Sequence, residues 1–106
     1  MLDIFDREGN PMTMEQWNAL LGDPEYKVVQ QDTLENGRWV STVWLGMNMQ
    51  YGEGPPLIFE TMVFPSHGNY SELYCERYAT EAQARQGHQA AMALAAVDSW
   101  NGYGDD

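Results

Sequence analysis

Glu60 has the setting that most invites chemistry. It stands in the run Leu57-Ile-Phe-Glu-Thr-Met-Val-Phe64, where strand alternation puts Leu57, Phe59, Thr61 and Val63 on one face and Ile58, Glu60, Met62 and Phe64 on the other. A carboxylate alone on an apolar face must be hydrated, hydrogen-bonded or paired, or else hold its proton more firmly than usual. A cross-strand salt bridge to Arg77 or Arg38 is the structural account of it, and a ligand anchor or a general base is the functional one. His88 comes second, on the inward stripe of an alanine-rich segment. Together with Cys75 and Glu60 it has the composition of a nucleophilic site. No nucleophile elbow, oxyanion loop or metal-spaced pair accompanies the three, so His88 is expected to donate to a backbone carbonyl.

Other chemistries are excluded by count or context. A single cysteine forms no internal disulfide, and His67 is the only other histidine, so no structural zinc site is expected. Gly52-Glu-Gly-Pro-Pro56 has the glycines of a phosphate loop but leads into a strand, so no helix N-terminus would meet the phosphate. No cofactor is implied.

The elements that position these residues are written in the pattern. Thr13 with Gln16 and Thr80 with Gln83 are capping boxes. The first opens a helix over 14–21, closed by Gly22 in a left-handed conformation and by Pro24, with Trp17, Leu20 and Leu21 inward. The second opens an alanine-rich helix reaching about Val97, whose stripe is Ala84, Gly87, His88, Ala91, Leu94 and Ala95. Leu2 to Phe5 reads as a short edge strand or an ordered arm. Strands are expected over 26–34, 38–47, 57–64 and 72–79, with Asn36-Gly37 as a hairpin turn between the first two. The second strand divides into Trp39, Ser41, Val43, Leu45 and Met47 on one face and Val40, Thr42 and Trp44 on the other.

The fold class is therefore α+β: a four-stranded antiparallel meander in chain order, with the C-terminal helix packed on one face and a short N-terminal helix. Residues 1–98 form one domain, and 99–106 form an acidic tail that frays unless Trp100 or Tyr103 docks. Trp39, Trp44, Tyr51, Phe59, Phe64, Tyr70, Tyr74 and Tyr78 exceed what one small core needs. Some are expected on an uncovered sheet face, through which a homodimer or higher oligomer is predicted to form. The candidate binding residues are Arg38, Trp44, Glu60, Arg77, Tyr78 and His88, with none assigned as catalytic or as a metal ligand.

Sixteen acidic against five basic residues give a net charge of −11 in 106 residues. Such a field repels phosphate, so duplex nucleic acid is not an expected partner, whereas a basic protein surface is. No apolar stretch approaches the roughly 18 residues needed to cross a bilayer, which predicts a cytoplasmic protein without membrane association.

The succession IFDREGNP, EQW, YKVV, NGRWVSTVWLG, GEGPPLIFETMVF, ERYATEAQARQGH resembles a group of small uncharacterised proteins of tailed bacteriophages and prophages over Ile4 to His88. The segments Val40 to Gly46 and Gly54 to Phe64 carry the resemblance, since capping boxes and alanine helices are generic. It implies a viral origin and the host cytoplasm, and no chemistry. Charge and resemblance together predict a non-enzymatic accessory protein that counters a host defence protein through an acidic, aromatic surface. The alternatives are an oligomeric sponge for a nucleotide immune signal, with Arg38 and Arg77 on the phosphates, and a virion or morphogenesis protein. A small hydrolase using Glu60 and His88 is the least supported.

Overall fold

The computed structural model describes residues 3–50 and 52–102. Helix α1, Met14–Leu21, starts at Thr13, whose hydroxyl accepts from the Gln16 N–H while the Gln16 side chain accepts from the Thr13 N–H. Its end departs from expectation: Gly22 has φ −84° and is not left-handed. The chain turns at once into a second helix, α2, Pro24–Lys27, capped by Asp23 and with Pro24 in its first turn. A proline that cannot continue one helix is pre-set to begin the next, because the first turn needs no N–H from it.

Strands β1, Val28–Thr33, β2, Trp39–Trp44, β3, Phe59–Phe64, and β4, Tyr74–Tyr78, form one antiparallel sheet in chain order. The β1–β2 loop is longer than a two-residue turn. Leu34 and Arg38 close it with a 2.8 Å bond, Gly37 donates to Leu34, and Gly37 alone of the Asn-Gly pair takes a positive φ, 89°. This is the three-residue loop in which a glycine supplies the single left-handed position. β2 ends at Trp44, and Met47 instead makes an isolated bridge to Ile4, so the N-terminal arm is ordered from Asp3, while Leu2 lies outside the described residues. A bulge between Val28 and Gln30 bends β1, and Gln30 and Asp32 lie opposite Thr42 and Val40.

Helix α3, Glu81–Ala95, starts in the second capping box and lies across β2, β3 and β4. Its buried residues are Ala84, His88, Ala91 and Ala95. Leu94, expected inward, is 41% exposed because the stripe of spacing four, three, four passes beside it. Under the helix the pairs Val40↔Val63, Thr42↔Thr61 and Trp44↔Phe59 are each fully buried. Two clusters make the core. Val40, Val63, Ala91 and Ala95 lie at one end, and Trp44, Ile58, Phe59 and Ala84 at the other with the apolar face of α1. Gly46 fits there because a Cβ would stand 2.7 Å from both the Trp17 and Trp44 rings.

No helix among the described residues is long and apolar enough to cross a membrane.

Candidate functional site

The candidate residues fall on opposite sides of the sheet. On the helix side, His88 is fully buried and Nε2 lies 2.8 Å from Asp32 Oδ2, while Nδ1 lies 2.6 Å from Thr42 Oγ1. A carboxylate only accepts, so Nε2 carries the proton in the neutral ring and Nδ1 accepts from Thr42; Thr61 Oγ1 then donates to Thr42. His88 thus bonds two side chains and not the backbone carbonyl expected from the sequence. Asp32 also accepts from Gln30 at 2.9 Å, and the bonds from His88 and Gln30 hold its carboxyl below the usual carboxylate range.

Acid, imidazole and hydroxyl in series is the order of a nucleophilic triad, but Thr42 and Thr61 have no exposed surface. A substrate carbonyl cannot reach a hydroxyl sealed between helix and sheet, so the series acts by tying α3 to the edge strand β1. Nothing in the spacing of Asp32, Thr42 and His88 marks this series. The signal available was the parity of Thr42 and Thr61, two polar residues on the face that must meet the helix.

Glu60 lies on the other face. Its Oε2 accepts from Arg77 Nε at 3.0 Å, directly across β3 and β4, and from Cys75 Sγ at 3.4 Å. Glu60 is 8% exposed, so the cross-strand pairing expected of it is present. Burial, with Glu60 beside it, pushes the Cys75 thiol up to about 12. Such a thiol is not a nucleophile near neutral pH. The Cys75, His88 and Glu60 set does not form, because the sheet separates His88 from the other two.

Arg38 and Arg77 are likewise apart. The Arg38 guanidinium caps α3: it donates to the carbonyls of Ala95 (3.1 Å), Val97 (2.8 Å), Asp98 (3.3 Å) and Trp100, and lies 5.5 Å from the centre of the Trp100 ring. The last carbonyls of a helix have no partner within it, and a cation there also meets the negative end of the dipole. Asn36 adds a bond to Ala95. Trp100 is docked in this way and meets Tyr74 edge-on. Tyr103 lies outside the described residues. Arg7, not singled out by the sequence, makes a two-pronged pair with Glu81 (2.8 and 2.7 Å) and donates to the Tyr26 carbonyl, joining the N-terminal turn, α2 and α3.

The aromatic residues divide as sharply. Trp44 and Phe59 are sealed in the core, which removes Trp44 from any surface role in the protomer. Tyr78 is half-buried, its phenol against Gly87, where a Cβ would stand 2.1 Å from the hydroxyl; burial pushes the phenol pKa up. The open face keeps a row of rings at one end. Trp39 stacks on Phe64 with centroids 5.1 Å apart, His67 tilts against Trp39 at 4.8 Å, and Tyr70 meets Phe64 edge-on at 5.9 Å. Thr33 Oγ1 fixes the His67 ring at 2.7 Å. Tyr70 is 74% exposed, His67 is exposed, and Trp39 and Phe64 are partly buried. The surplus of rings expected at the surface is thus smaller than composition suggested. Tyr51 lies outside the described residues.

No group of three acidic, histidine or cysteine residues among the described residues could hold a metal ion. The chain matches no protein-family model, no curated protein and no solved structure.

Proposed function

We propose that this chain is a non-enzymatic accessory protein of a tailed bacteriophage that acts in the host cytoplasm by binding a host protein, such as a defence protein, through its acidic and aromatic surface. The observation that carries the reading is the direction of the charges. Arg7 and Arg85 are spent on Glu81, Arg77 on Glu60 and Arg38 on backbone carbonyls, so four of the five cationic residues serve the protein's own fold. Glu60 and Glu81 are the carboxylates these pairs take up, out of sixteen acidic residues. The surface presented to a partner is therefore strongly negative, and a basic protein surface complements it.

A nucleotide-sequestering role draws less support, since Arg38 and Arg77 stand on opposite faces of the sheet and do not converge within a protomer. The hydrolase reading loses its residue pair for the same reason.

The test is capture from host lysate on the immobilised full chain, followed by binding of the purified captured protein. One host protein should be retained at physiological salt and released near 1 M, where charges more than about 3 Å apart are screened. Retention indifferent to salt, or no retained protein at all, would overturn the reading.

A further inference from the structure

We propose that the row of rings at the end of the open face, exposed at Tyr70 and His67, is the docking surface for an arginine-bearing segment of the partner. This rests on the reading above and adds the partner's chemistry and the place it binds.

Three observations converge on that end of the sheet. The rings are held in place by one another: Tyr70 against Phe64, Phe64 against Trp39, Trp39 against His67, and His67 by Thr33. A ring fixed in this way loses little freedom when a ligand stacks on it. Tyr70 nonetheless leaves three quarters of its surface to solvent, the largest exposure among the large apolar and aromatic side chains described. The turn between β3 and β4 that carries Tyr70 also brings an exposed carboxylate, Glu72, two residues further on.

An exposed ring on a strongly acidic chain suits a guanidinium, which stacks by its flat face and donates paired hydrogen bonds from its edge. Lysine offers a compact, strongly hydrated charge and stacks less well. A second copy of the chain is disfavoured on the same surface, because it would bring a further net charge of −11 to a chain already at −11.

The probes are an oligo-arginine and an oligo-lysine peptide of equal length, titrated into the full chain at matched ionic strength and followed by two-dimensional NMR. The arginine peptide should bind more tightly than the lysine peptide and move the resonances of Tyr70, His67 and the Trp39 indole first. Tyr70→Ala should weaken the arginine peptide about tenfold, with Tyr70→Phe restoring it. Glu72→Gln should weaken both peptides. Equal binding by wild type and Tyr70→Ala, shifts confined to the exposed side of α3, or a dimer in light scattering that Tyr70→Ala dissolves would each overturn the proposal. If a host protein is retained equally by the Tyr70→Ala chain, this docking surface fails while the function stands. If the arginine peptide binds the ring row but no host protein is retained, the function fails while the surface stands.

Discussion

Each face of the sheet holds one polar group that the apolar pattern should have expelled, and the two are handled by opposite means. Under α3, His88 is completely enclosed and both ring nitrogens are bonded to side chains on two different strands. On the open face, Glu60 is nearly as enclosed, yet its partner Arg77 keeps 39% of its side chain in solvent. A sealed polar group must find every partner inside the protein, whereas one near the surface can rely on a long cation that stays hydrated while it reaches in. The covered face is thus built for rigidity, and the open face is left adaptable.

The sharpest way to break this contrast is to empty the covered side. Trp44→Ala should cost about 3–5 kcal/mol by opening a cavity among Phe59, Ile58 and Ala84, read as a lower denaturant midpoint. Thr42→Val keeps the shape but strips the hydroxyl from His88 Nδ1 and Thr61, and should cost about 1–3 kcal/mol in the same measurement. Glu60→Gln on the open face should cost under about 1 kcal/mol, because the amide still offers an oxygen and the Arg77 side chain keeps 39% of its surface in solvent. If Glu60→Gln proved as damaging as Thr42→Val, the two faces would not differ as described.

The acid response sharpens the comparison least, and on one side only. Asp32 has a folded-state pKa below its ordinary 3.8, so its contribution to stability is fully present above that value and is lost as pH falls through the lowered one. Glu81, lowered by Arg7 and then Arg85, acts in the same direction. Urea midpoints measured from neutral pH to below 4 should fall less steeply for Asp32→Asn than for the native chain.

The difference between the faces also explains what was legible in the sequence. Local signals marked both capping boxes, four strands in chain order and a cross-strand arginine for Glu60, without separating Arg77 from Arg38, because each depends on residues within a helical turn or on neighbouring strands. Asp23-Pro24 was read only as a stop, although the same two residues cap and open α2. The roles of Arg38, Arg7 and His88 depend on partners more than forty residues away or, for Arg7, on both near and distant ones. Alternation places such side chains on a face but does not say what waits there, so Arg38 and Trp44 looked like surface binders, when Trp44 is buried and Arg38 is engaged by the chain's own carbonyls.

Arg38 joins the first hairpin to the carbonyl of Trp100, sixty-two positions downstream. The four strands pair between sequence neighbours, but this clasp cannot close before residue 100 has been made. A chain that stops short of residue 100 would therefore hold every strand and still lack the last hold on its C-terminal helix.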